Sequence, residues 1–142
     1  MALQEKYGLG NIIRVQKNEK GAKTMDEFVL IFRMDITNKE SQPSPKQMKI
    51  YLKQWEDWIS EIDRKNKLAD GGNHLLAEGK VLKSNNVIEN GPYIEKGQSI
   101  AGYIIIMASN LDEAVKIAER CPILNGEGTS VEVRKTGSNG SS

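Results

Sequence analysis

The residue types that carry much acid–base, redox and metal chemistry are scarce here: the chain has one histidine, His74, and one cysteine, Cys121. A single cysteine excludes an intrachain disulfide framework and fits a reducing compartment. One histidine and one cysteine also leave a transition-metal site short of its usual ligands, so no metal is expected. Glycines Gly71, Gly72, Gly91 and Gly97 lack the spacing of a phosphate-binding loop, and no nucleotide or other cofactor is expected. No apolar run approaches the ~20 residues that span a bilayer, and the first residues lack the apolar stretch of a secretory signal. A soluble, cytoplasmic protein without membrane association is the expectation. The formal charge of +1 offers no general attraction to polyanions, and the lysines of residues 26–135 are dispersed among acids rather than clustered with aromatics. Nucleic acid is therefore not an expected partner.

What is present suits one domain. At 142 residues, with 38% hydrophobic and 27% charged side chains, the chain can bury an independent core. Residues 1–25 read as an extension, with five basic against two acidic residues and helix-breaking glycines. It is either an unstructured tail or a basic arm, with Ile12, Ile13 and Val15 able to add an edge strand. Residues 26–135 read as the folded domain, and 136–142 as a Gly/Ser tail.

Within the domain, Phe28 to Met34 is a strand. Phe28, Leu30, Phe32 and Met34 share one face; Val29, Ile31 and Arg33 share the other. Asp35 to Gln42 is a polar loop. Ser44-Pro45-Lys46-Gln47 carries the signature of a capping box with proline at the first helical position. Met48, Tyr51, Leu52, Trp55, Ile59 and Ile62 then recur at three- and four-residue steps, so a helix is expected to about Asn66. Leu68 to His74 reads as a turn through Gly71-Gly72. Ser84-Asn85-Asn86 between short β runs marks a hairpin. Ile100 to Met107 is a continuous apolar strand, expected to be covered on both faces or nearly so. Ser109 or Asn110 caps a second helix whose inner stripe is Leu111, Ala114, Val115 and Ala118, and Pro122 stops it. Thr129 to Arg134 is a last strand with Val131 and Val133 inward. The order β-α-β-β-β-α-β predicts an α+β, ferredoxin-like fold, an antiparallel sheet with both helices on one face. Its other face is apolar too, which predicts a homodimer packed sheet against sheet.

These residues carry a resemblance. Phe28-Val29-Leu30-Ile31-Phe32-Arg33, the Pro45 helix with Trp55, Gly71-Gly72, Asn90-Gly91-Pro92-Tyr93, Gly102-Tyr103, Asp112-Glu113-Ala114 and Cys121-Pro122 together resemble the YCII-related family. Within it, the chain looks like the subgroup named for an Asp-Gly-Pro-Phe motif. The resemblance covers about residues 26–134 and implies a dimeric α+β barrel. It departs in two places. Asn90 stands where the motif has aspartate, and an amide holds a turn but is no general base. The expected first helix contains no histidine, so a His/Asp dyad of the kind attributed to smaller relatives does not carry over.

The remaining candidates for chemistry are few. His74 or Asp35 would carry a proton, with a histidine tuned near neutral pH as the sharper reading and an ordinary hydrogen-bonded histidine as the plainer one. Arg33 would anchor an anion or else sit in an ion pair at the surface. Trp55 and Tyr93 would be apolar walls, Asn90 would orient the ligand, and Tyr103 would complete the rim. The expected ligand is a small anionic or aromatic molecule. The expected function is binding in a pocket between sheet and helix, with lyase- or isomerase-type proton transfer that needs no metal or nucleotide. The other reading is a non-catalytic binding or assembly module.

Overall fold

A computed structural model describes residues 24–36 and 43–137. Most of the expected N-terminal extension, of the loop after Asp35 and of the Gly/Ser tail lies outside the described residues. The described chain forms β1 (Asp26–Met34), α1 (Pro45–Arg64), β2 (Leu68–His74), β3 (Lys80–Lys83), β4 (Val87–Asn90), β5 (Ser99–Ala108), α2 (Leu111–Ala118) and β6 (Ser130–Lys135). A four-stranded sheet has the order β2-β5-β1-β6, all neighbours antiparallel. The crossovers β1-α1-β2 and β5-α2-β6 give the α+β, ferredoxin-like plan.

The local chemistry that starts each helix is visible. Ser44 Oγ accepts from the Gln47 N–H at 3.2 Å, while Gln47 Oε1 accepts from the Ser44 N–H at 3.3 Å, a reciprocal capping box. At α2, Asn110 Oδ1 accepts from the Glu113 N–H at 2.9 Å, so Asn110 is the cap. Glu113 Oε1 accepts from the Ser109 N–H at 2.7 Å and Glu113 Oε2 from Lys67 Nζ at 2.9 Å. These bonds hold the Glu113 carboxyl below its usual pKa, the Ser109 backbone first and Lys67 second.

Phe28, Leu30 and Phe32 of β1, with Ile104, Ile106 and Ala108 of β5, form the sheet's buried face. Trp55, Trp58, Ile59 and Ile62 of α1 pack onto it, and Trp58 Nε1 donates to the Ile117 carbonyl at 3.1 Å. Val131 and Val133 pack against the same core. On the other face, Val29 pairs with Ile105 and Ile31 with Tyr103, and all four are only half-buried within one chain.

Three expectations are corrected. Leu68 to His74 is not a turn but the edge strand of the main sheet. Its Gly71-Gly72 pair sits in an irregular stretch of the pairing with β5, where Gly72 takes φ +60° and Asp70 Oδ1 accepts from the Gly72 N–H at 2.8 Å. That left-handed conformation lets the strand bulge and carry on. The hairpin β3-β4 forms a separate two-stranded sheet instead of joining the main one. Its tight turn uses Asn85 and Asn86 at φ +67° and +62°, which asparagine tolerates better than most residues. On α2, Ala114 and Ala118 are buried, whereas Leu111 and Val115 of the expected inner stripe are exposed.

The approach of β2 to β5 depends on glycine. A Cβ at Gly72 would lie 1.7 Å from the Tyr103 carbonyl oxygen, which backbone cannot vacate cheaply. We expect Gly72→Ala to destabilise the fold by about 3 kcal/mol or more in denaturant melts. Gly79→Ala, with nothing within 4 Å of its new methyl, should stay near wild type. Equal stability of the two variants would refute the close packing of β2.

Candidate functional site

A cleft of about 810 Å³ opens between the N-terminal half of α1 and one end of the sheet, a size that suits a small organic ligand. Burial along α1 explains it. Trp55, Trp58, Ile59 and Ile62 are buried, whereas Met48, Tyr51 and Leu52 one to two turns earlier are only half-buried. The apolar stripe continues past the point where the sheet covers it, and its forward part roofs the cleft. The floor is a cross-strand row in which Gly102 of β5 lies between Phe32 of β1 and His74 of β2. Gly102 is required there: a Cβ would meet the Asn73 carbonyl oxygen at 2.7 Å and the His74 Cα at 3.4 Å. Leu75, Leu76 and Ala77 form one wall. Ile123, Asn125, Gly126 and Thr129 form the end wall, where Thr129 Oγ1 donates to the Ile123 carbonyl at 2.6 Å.

The aromatic rings form an edge-to-face series. Tyr51 and Trp55 lie 6.0 Å apart at 78°, Trp55 and Phe32 4.9 Å apart at 84°, and Trp55 and Trp58 5.6 Å apart at 81°. Tyr51, Trp55 and Phe32 all line the cleft. Burial pushes the Tyr51 phenol above its ordinary pKa, although a hydrogen bond to Trp55 works the other way. The hydroxyl therefore stays protonated at neutral pH. His74 is exposed at the end of β2, and what burial it has lowers its pKa from the ordinary 6.5, against a hydrogen bond to the Ala101 backbone that raises it. Its imidazole is neutral at pH 7 and suited to accept a proton.

The cleft brings together three of the residues singled out from the sequence: His74, Trp55 and Tyr103. Tyr103 is paired with Ile31, so its side chain belongs to the open face and its main chain to the cleft floor. Asp35 directly follows β1, between the lining residues Met34 and Ile36. The others lie elsewhere. Arg33 is on the open face, where Nη1 meets Glu132 Oε1 at 2.6 Å; Arg134 Nη1 meets Glu132 Oε2 at 3.2 Å. These arginines, Arg33 first, hold the Glu132 carboxyl below its usual pKa. Asn90 closes the β3-β4 hairpin and accepts from Lys80 Nζ at 2.5 Å, and Tyr93 is 63% exposed beyond it. Neither lines the cleft. Gly91 at φ +85° donates its N–H to the Gly79 carbonyl at 2.8 Å, which makes Asn90-Gly91 the turn at the base of the hairpin.

Sequence reasoning missed Tyr51, Phe32, Leu75 and Ser99. The first two were legible as members of the α1 stripe and the β1 inner face, but nothing marked them as cleft rather than core. Ser99, 4% exposed, pairs with the lining residue Met34, and its hydroxyl is the one buried side-chain polar atom without a partner among the described residues. Burial raises the Cys121 thiol to about 12, so it packs as a small apolar group. Among the described residues no group of three or more His, Cys, Asp or Glu is placed to hold a metal ion, and no helix is long and apolar enough to cross a membrane.

The family model described as the YCII-related domain matches residues 51–136, more than half of the chain, from the cleft-facing part of α1 through β6. No curated protein matches the chain.

The His74 shift predicts a pH effect with a definite sign. The folded pKa is lower than that of the unfolded chain, so the unfolded state takes up the proton first as pH falls below about 6.5. Wild type should lose stability relative to His74→Gln between about pH 7 and about pH 5, measured by urea melts at each pH. Parallel curves, or wild type gaining as pH falls, would contradict the assignment.

Proposed function

The chain belongs to the YCII-related domain family, and from that premise we propose that it is a homodimer whose α1-sheet cleft binds a small molecule. Chemistry of the lyase or isomerase kind follows there, with His74 accepting the proton. One observation carries this reading: the only histidine of the chain lies in the cleft-floor row with Gly102 and Phe32, in an environment that keeps it neutral. A neutral imidazole beside an apolar wall is poised to take a proton from carbon next to a carbonyl, a step in which a positioned base contributes about 10²–10⁴-fold. Asp35, flanked by the lining residues Met34 and Ile36, is the second proton carrier in this reading. Trp55 supplies the apolar wall.

The dimer is supported by the half-buried Val29, Ile31, Tyr103 and Ile105 on the sheet face that no helix among the described residues covers. Arg33, Glu132 and Arg134 enter as the charged border of that face, not as an anion anchor in the cleft. The subgroup named for Asp-Gly-Pro-Phe remains the nearest pattern for Asn90-Gly91-Pro92-Tyr93, with the amide acting through the hairpin turn. A second reading, a binding module without turnover, draws on the engagement of Arg33 and Asn90 in contacts of their own away from the cleft, which leaves His74 as the one titratable candidate among its lining residues that is suited to accept a proton.

Two measurements decide. Size-exclusion with light scattering should give twice the 15.8 kDa chain mass, and Ile31→Asp should give the single mass; a wild-type monomer removes the dimer. Carbonyl compounds found by thermal-shift screening should exchange their α-hydrogens with solvent deuterium on the protein, about 100-fold slower with His74→Ala. Binding without exchange, or exchange unaffected by His74→Ala, would favour the binding module.

A further inference from the structure

We infer that the molecule held in the cleft is a flat, uncharged aromatic compound bearing one hydrogen-bonding group, an inference that rests on the cleft being the functional site. Three rings on its wall set the geometry. Tyr51, Trp55 and Phe32 stand edge to face in sequence along α1 and β1, at centroid separations of 6.0 and 4.9 Å. Such a series is open at its Tyr51 end: Tyr51 is half-buried with Trp55 as its one ring partner and the cavity on another side, whereas Phe32, 4% exposed and packed on both Trp55 and Trp58, closes the inner end. A further ring inserted there continues the pattern, its positive edge on a negative face or the reverse, which a saturated ring of equal size cannot do. Met34 and Met48 complete the surround, and thioether side chains adapt their rotamers to a planar guest.

Polarity points the same way. The hydrogen-bonding groups that face the space are amides, hydroxyls and the imidazole of His74, and among the described lining residues none bears a formal charge. A carboxylate or ammonium entering this wall would find no counter-ion among the lining residues, Asp35 lying between Met34 and Ile36 without being one of them, whereas a hydroxyl or carbonyl would find a partner in His74 or the Tyr51 hydroxyl. The charged groups that were candidates for an anion, Arg33 with Glu132 and Arg134, are on the opposite face of the sheet. The expectation of an anionic ligand therefore gives way to its aromatic alternative.

Four probes of one size separate the possibilities: 2-naphthalenemethanol, 2-naphthoate, (2-naphthylmethyl)trimethylammonium and the saturated decalinmethanol. Each is titrated into the full chain near neutral pH, read by tryptophan fluorescence and by the ring proton signals of His74. The neutral aromatic should bind at least about tenfold more tightly than either charged analogue and several-fold more tightly than decalinmethanol. Tyr51→Leu, which keeps an apolar side chain, should abolish the preference over decalinmethanol. Gln47→Arg at the cleft rim should improve naphthoate binding. Naphthoate or the ammonium probe binding as tightly as the alcohol overturns the uncharged class, and decalinmethanol doing so overturns the aromatic one; either leaves the cleft itself as the site. If none of the four perturbs His74, the cleft reading fails together with this one.

Discussion

The contact between Trp55 and Phe32 is what the rest of the molecule is arranged around. It sets α1 onto the sheet at 4.9 Å between ring centroids, with Trp58 behind it and Ile59 and Ile62 continuing the seam. Burying aromatic surface of this size stabilises by several times the energy of an exposed ion pair. The helix therefore docks through its C-terminal half. Its N-terminal half keeps an apolar stripe, Met48, Tyr51 and Leu52, that the sheet does not reach. A cleft is the geometric consequence of a 20-residue helix whose apolar face outruns the surface beneath it.

The sheet divides the polar chemistry in two. On the helix side, the cleft wall combines rings and aliphatic chains with His74 and neutral hydrogen-bonding groups. On the open side, Arg33, Glu132 and Arg134 form a connected ion pair beside Val29, Ile31 and Tyr103. The strand alternation that puts Phe32 into the core puts Arg33 on the other face, so an arginine adjacent in sequence to the cleft is excluded from it. Gly72 and Gly102 then set how near β2 lies to β5, and with it the position of His74 over the floor row.

Much of this was legible in the residues themselves. The capping box at Ser44, the α1 stripe, the β1 faces, the Ser84-Asn85-Asn86 turn and the apolar β5 all follow from local chemistry, and their order implies the ferredoxin-like plan. Strand β2 was hidden because Leu-Ala-Asp-Gly-Gly-Asn-His has turn composition; the sheet uses that pair of glycines for a bulge rather than a reversal. Trp55 and His74 could be singled out because one anchors a stripe and the other is unique. That Arg33 would sit in an ion pair at the surface was one of its two readings, but its partner was not legible, since Glu132 is 99 residues away and meets it only through the β1-β6 register. The motif Asn90-Gly91-Pro92-Tyr93 offered a turn through its composition and also a pocket rim, and local geometry makes it the turn at the base of a hairpin.

The most direct test of the central claim uses the fact that the chain has one histidine, whose ring signals in a proton spectrum therefore belong to His74 without further assignment. Their titration in the free protein should give a pKa below the ordinary 6.5, the direction that desolvation of the ring beside the cleft floor imposes. Saturating the cleft with 2-naphthalenemethanol should move those signals and lower the value further, because a guest removes the remaining water from the ring. A pKa at or above 6.5, with signals indifferent to the guest, would contradict the account: the exposed ring of His74 would then meet solvent alone and the space under α1 would be no site at all.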